Sequence, residues 1–144
     1  MARMIFVNLP VTDLQKSMAF YSALGFENVP HFTDENAAGM KWSDEIMVML
    51  LKHDFWRTFT DKGIPDAKTQ CQVLLAISCE DKAEVDALAS NAGAAGGKSD
   101  PNPKQDHGFM YGRSFEDPDG HIWEPSWMDP AVASGEVVPS ATEA

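Results

Sequence analysis

Four histidines, two cysteines and one Asp-Pro-Asp-Gly run carry the residue types that hold metals or attack carbonyl carbons. Their spacing does not gather them into a site. His53 shares strand parity with Met49 but lies about 13 Å further along, at ~3.3 Å per residue. His121 has the opposite parity to Glu124, so the two point to different sheet faces. His107 sits in a Pro/Lys/Asp loop and His31 near a strand end. Cys71 and Cys79 have no histidine neighbour that would make either a nucleophile. Asp117-Pro118-Asp119-Gly120 has turn residues in turn-forming places and lacks the acidic pattern of a calcium loop. No Gly-x-Ser-x-Gly, phosphate loop or dinucleotide fingerprint is present, which sets aside the common hydrolase, nucleotide and Rossmann classes. Arg113 remains, flanked by Tyr111 and Phe115. Pointing inward, it would bind a ligand carboxylate or neutralise Glu124; pointing outward, it would pair with a surface acid.

The whole chain narrows the class further. It has 144 residues, 22 Asp+Glu against 11 Lys+Arg, and a formal charge of −11. That length fits one domain, and the 44% apolar share is that of a globular protein. The negative charge argues against nucleic acid and against anionic membrane surfaces. No apolar run approaches the ~20 residues that span a bilayer; Met1-Ala2-Arg3-Met4 enters a strand-like run at once, without h-region or cleavage site, so no leader is expected. Two cysteines are too few for a disulfide framework, so a cytoplasmic location is expected.

The elements that must position these groups come in two rounds. Ile5 to Val11 reads as a strand, with Thr12 or Asp13 as helix cap. Leu14, Met18, Tyr21 and Leu24 give a helix one apolar face, and Gly25 stops it. Phe26–His31, Ala38–Trp42 and Ile46–His53 read as strands, and Asp54–Thr69 as a connection. The plan then restarts: a strand at Gln72–Cys79, a helix after Glu80-Asp81, a Gly/Ala stop at 93–97, a strand at Phe109–Phe115 and a last one at Ile122–Trp127. Phe6-x-x-Leu9-x-Val11-Thr12-Asp13 aligns with Leu74-x-x-Ile77-x-Cys79-Glu80-Asp81 at an offset of 68, and Ile46–Met49 aligns with His121–Glu124 at 75. Neither βαβββ copy buries a core alone, so the two are expected to pack as one domain, residues 1–130. Its modules span about 4–53 and 72–128, joined by 54–71, and 131–144 is expected to be a disordered tail.

The opening Phe6-Val7-Asn8-Leu9-Pro10-Val11-Thr12-Asp13-Leu14, with Phe20-Tyr21 and Leu24-Gly25-Phe26, resembles the vicinal oxygen chelate superfamily. This is the glyoxalase, bleomycin-resistance and extradiol-dioxygenase group. The ending Phe115-Glu116-Asp117-Pro118-Asp119-Gly120-His121-Ile122-Trp123-Glu124 resembles its closing hairpin. The resemblance spans roughly Met4 to Met128. It implies an α+β fold of two βαβββ modules forming a curled mixed sheet around a cavity, and a homodimer. In metal-using members, four inward side chains bind a divalent cation. Their places here hold Phe6, Met49, Leu74 and Glu124, so only Glu124 matches. A phenyl ring, a leucine and a thioether do not hold a hard cation, and no bound metal or other cofactor is expected.

Strand parity then predicts the lining of the implied cavity: Phe6, Asn8, Met49 and Leu51 from the first module, and Leu74, Ala76, Glu124 and Ser126 from the second. Tyr111 and Arg113 are further candidate ligand contacts. A mostly apolar cavity of this kind suits a small organic molecule. Glu124 is the candidate catalytic residue, since a poorly solvated carboxylate is prepared as a general base. Three functions follow. The first is a metal-independent small-molecule binding protein, resembling the bleomycin-resistance branch. The second is a glyoxalase-like lyase or isomerase using Glu124. The third is a non-catalytic structural or interaction protein with a filled cavity. Whether the chain is an enzyme stays open at this point.

Overall fold

The computed structural model describes residues 2–139. Strand β1 is Ile5–Val11. Helix α1, Leu14–Ala23, begins at Asp13, whose carboxylate accepts the Lys16 N–H and satisfies an otherwise orphaned donor. It ends before Gly25, whose φ of 98° is left-handed backbone that glycine adopts without a Cβ clash. Strand β2 (Glu27–Val29) leads into a 3-10 turn at Pro30–Phe32, then β3 (Ala37–Ser43) and β4 (Ile46–Lys52). The order is β1-β4-β3-β2, with β1 parallel to β4.

A short helix α2, His53–Trp56, opens the connection, and the plan repeats. Strand β5 is Leu74–Ser78 and helix α3 is Lys82–Ala94. Asp81 caps α3 by accepting the Glu84 N–H, and Glu84 accepts the Glu80 N–H in return, the two-way arrangement of a capping box. The remaining strands are β6 (Lys98–Ser99), β7 (Gln105–Asp106), β8 (Met110–Gly112), β9 (Phe115–Glu116) and β10 (Ile122–Met128). Strand β10 lies parallel to β5 on one side and antiparallel to β8 and β9 on the other. The two internal offsets reappear in the registers: Phe6 stands opposite Met47, and Leu74 opposite Ile122.

Two strands of the second round are broken, where one continuous strand was expected at Phe109–Phe115. The Arg113 N–H donates to the Pro125 carbonyl. Pro125 has no N–H to return, so the ladder lapses between β8 and β9. The matching gap between β6 and β7 holds Pro101 and Pro103. A second departure is at the end of the chain. Part of the expected disordered tail is ordered: Pro130–Ala133 forms α4, capped by Asp129, which accepts the Ala131 N–H. Residues 140–144 of that tail lie outside the described residues. No helix among the described residues is long and apolar enough to cross a membrane.

One core serves both halves. It joins Leu9, Val48, Leu50 and Met40 from the helix-facing side of the first sheet to Ile77, Phe115 and Trp123 from that side of the second. Helix α1 lies in the join: Phe20 packs on Phe115, and Tyr21 edge-on against Trp123. Polar links close the same seam. The Thr12 N–H and hydroxyl both donate to Asp119, and His121 Nε2 lies 2.8 Å from the Pro10 carbonyl.

Candidate functional site

Since the helix-facing sides meet inside the chain, the opposite sides of the two sheets turn outward. Register places Phe6, Asn8, Met49 and Leu51 on one outward face, and Leu74, Ala76, Glu124 and Ser126 on the other. The predicted cavity residues are thus grouped correctly by strand but lie on two separate faces of one chain. Strand parity reads a face and not the packing between modules.

On the first face, Phe6 is 46% exposed and meets Phe32 edge-on, with ring centres 6.1 Å apart. Phe32 also crosses Gly39 so closely that a Cβ there would sit 2.8 Å from the Phe32 Cβ. Glycine inside a strand is the signal that marks such an approach, and the sequence reading passed over it. The 3-10 turn therefore covers part of this face, while Leu51 is buried and Asn8 is exposed. On the second face, Leu74 is 51% exposed, Ala76 and Ser78 are open, and Glu124 and Ser126 are half-buried.

Tyr111 and Arg113 do not join Glu124. Tyr111 stands opposite Trp127 in the ladder, on the helix-facing side. Its hydroxyl donates to Asp86 of α3. The Arg113 guanidinium bonds Asp86 at 3.0 Å and Asp100 at 2.6 Å. The Tyr111 and Arg113 bonds hold the Asp86 carboxyl below its usual range, and the Arg113 bond does the same for Asp100. Of the two alternatives for Arg113, pairing with acids holds: its guanidinium ties Asp86 of α3 to Asp100 in the bend after β6.

The four places corresponding to the implied metal set carry one oxygen donor, Glu124. Among the described residues no three His, Cys, Asp or Glu side chains converge. This donor set does not fit a divalent cation, which needs several oxygen or nitrogen ligands at one point.

The Asp-Pro-Asp-Gly turn is structural, and more central than a surface turn. Asp117 is 2% exposed. One of its oxygens accepts the N–H groups of Asp119, Gly120 and His121, and the other accepts the Tyr21 hydroxyl at 2.7 Å. Trp123 Nε1 donates to that same hydroxyl at 3.0 Å. Burial, chiefly, pushes the Asp117 carboxyl above its ordinary range and the Tyr21 phenol well above its own.

The cysteines differ in reactivity. Burial and the neighbouring Glu84 push the Cys79 thiol up to about 12, whereas Cys71 is exposed. Since the thiolate is the nucleophile, a thiol reagent at pH 8 should label one cysteine quickly and one slowly. Cys71→Ser should remove the fast phase; a fast phase that survives would show that Cys79 is reactive.

Three of the cavities among the described residues bear on the site. One of about 710 Å³ lies between α3 and the ends of β3 and β10. One of about 390 Å³ lies beside the 3-10 turn. The third, about 350 Å³, sits at the junction of the modules, and Glu124 lines none of them.

The family model "Glyoxalase/Bleomycin resistance protein/Dioxygenase superfamily" matches residues 3–124. A structure of a hypothetical protein from S. aureus is 25% identical, covering 88% of this chain and 94% of that one, with a TM-score of 0.73. A glyoxalase/bleomycin resistance protein/dioxygenase family enzyme from Burkholderia phytofirmans is 18% identical, covering 88% and 99%, with a TM-score of 0.69. A bleomycin resistance determinant encoded on the transposon Tn5 is 18% identical, covering 89% and 99%, with a TM-score of 0.62. No curated protein matches the sequence.

Proposed function

The chain belongs to the glyoxalase/bleomycin resistance protein/dioxygenase superfamily, and from that premise we propose a metal-independent small-molecule binding protein that works as a homodimer. The observation that carries this reading is the pair of apolar faces left open, Phe6 at 46% and Leu74 at 51% exposure. Burying one such side chain contributes about 1.5–3 kcal/mol. A two-fold pairing sets the Phe6 face of each chain against the Glu124 face of the other and builds two equivalent cavities. Phe6, Met49, Leu74 and Ala76 form apolar walls, Asn8 and Ser126 supply neutral polar groups, and Glu124 is the one carboxylate. Such a lining suits a small organic molecule held by shape and a few hydrogen bonds. Capture of this kind needs no cation, in keeping with the donor set.

Light scattering should find a dimer, and Phe6→Lys should yield a folded monomer, because it places a charge on the buried face. A thermal-shift screen of small organic acids, thiol conjugates and aromatic antibiotics should find a stabilising ligand for the dimer and none for that monomer. A wild-type monomer that binds nothing sinks the reading. So does about one equivalent of zinc, nickel, manganese or iron retained by protein purified without a metal-affinity tag. Turnover of the stabilising ligand that falls about 100-fold in Glu124→Gln would instead make Glu124 a general base and the protein a lyase or isomerase.

A further inference from the structure

The cavity at the module junction has a different construction from the Glu124 face. Its floor is the open edge of β1 at Val7 and Leu9 together with Leu75 and Ile122, and its roof is the connection between α2 and β5. That roof is fixed without help from a second chain. The N–H groups of Thr69 and Gln70 both donate to the Asp66 carbonyl. The connection then presses on the Asp-Pro-Asp-Gly turn so closely that a Cβ on Gly120 would sit 2.7 Å from the Ala67 carbonyl oxygen. At 350 Å³ the space falls within the ~300–1,000 Å³ of small-molecule pockets.

Charge decides what it takes. The chain has 22 carboxylates and 11 Lys+Arg, yet no carboxylate lines this cavity, while Lys62 and His121 do. The other two cavities have acids in their walls: Glu80 and Glu84 in one, Glu27 and Asp44 in the other. Of these three, the junction cavity alone pairs a largely apolar wall with an ammonium and no acid; the cavity beside the 3-10 turn also holds an ammonium, Lys41, but with Glu27 and Asp44. We propose that the junction cavity binds a small apolar carboxylic acid, its hydrocarbon or aromatic part lying on Val7, Leu9, Leu75 and Ile122 and its carboxylate beside Lys62. A carboxylate prefers that wall because the Lys62 ammonium attracts it and no carboxylate among the lining residues opposes it.

Trp56 lines the same cavity and reports on it. Titration of the full chain with benzoate and with octanoate should change tryptophan fluorescence saturably, and Trp56→Phe should abolish the signal. Benzyl alcohol and 1-octanol should bind several-fold more weakly. Lys62→Glu should weaken the acids about fivefold or more while leaving the alcohols unchanged, as reversal of one partly exposed charge would. Thr60→Trp, which fills the cavity, should remove binding of both. Alcohols that bind as tightly as acids, or acids indifferent to Lys62→Glu, would overturn the proposal. Lys62 is exposed, so that variant folds and the test stands even where Thr60→Trp does not. No saturable response at millimolar ligand also overturns it.

Discussion

Trp123→Ala should destabilise the protein by about 3–5 kcal/mol, the usual cost of removing a large buried aromatic side chain. Trp123 is 1% exposed and touches the rings of Tyr21, Phe26 and Phe115. Two of these rings belong to the first half of the chain and one to the second, so the cavity left behind lies between the modules, where neither can collapse to fill it. Against a typical total of about 5–15 kcal/mol, the loss is roughly a fifth or more. Urea denaturation should show it as a lower midpoint within one cooperative transition, because both modules share the damaged core. Two separate transitions in the wild type would contradict the shared core. Trp123→Phe keeps most of the packing but removes the N–H that donates to Tyr21, so it should cost distinctly less.

Asp117→Ala should cost at least about 3 kcal/mol, since it strips four donors of their acceptor at once and leaving a buried donor unpaired costs ~1–3 kcal/mol. The donors are the N–H groups of Asp119, Gly120 and His121 and the Tyr21 hydroxyl. Asp117→Asn keeps an oxygen for the three N–H groups and loses only the proper partner of Tyr21, so about 1–2 kcal/mol is expected. The pH dependence carries a definite sign. The folded carboxyl titrates above its ordinary range because it is buried. Between the unfolded value of about 3.9 and that raised value, the native state therefore holds more proton than the unfolded chain. Stability from this group is fully present below the unfolded value and is lost as pH rises through the folded one. Lowering the pH from neutral to the unfolded value of about 3.9 should therefore shift the stability difference toward the wild type and away from Asp117→Asn. Asp86 and Asp100 have lowered values and act in the opposite sense, below about pH 4. They are common to both proteins and cancel in the difference. A difference that moves the other way would mean that Asp117 is stabilised chiefly as an anion.

The repeat was legible because each local signal agreed with the next. Asp13 and Asp81 cap helices, Gly25 ends one, and the period-2 alternation of Ile5–Val11 and Ile46–Lys52 puts Val7, Leu9, Val48 and Leu50 on one face. Where neighbouring chain decides, the sequence was silent. Pro125 interrupts a strand that reads as continuous, because the effect of a missing N–H is felt on the strand beside it. Arg113 was open to either side, and Tyr111 read as a ligand contact, until α3 brought Asp86 within reach of both.

The sequence by itself determined the α+β class, the family, the two modules, and which residues of each module share a sheet face, Phe6, Asn8 and Met49 in the first and Leu74, Ala76 and Glu124 in the second, since backbone period fixes that. Only the tertiary structure decided how the modules meet. Packing helix side to helix side buries Tyr21 and Trp123 together and leaves the other faces open. Each module's pattern is satisfied by any arrangement that buries the same side, so the choice rests on contacts between residues about a hundred positions apart, such as Tyr21 with Asp117.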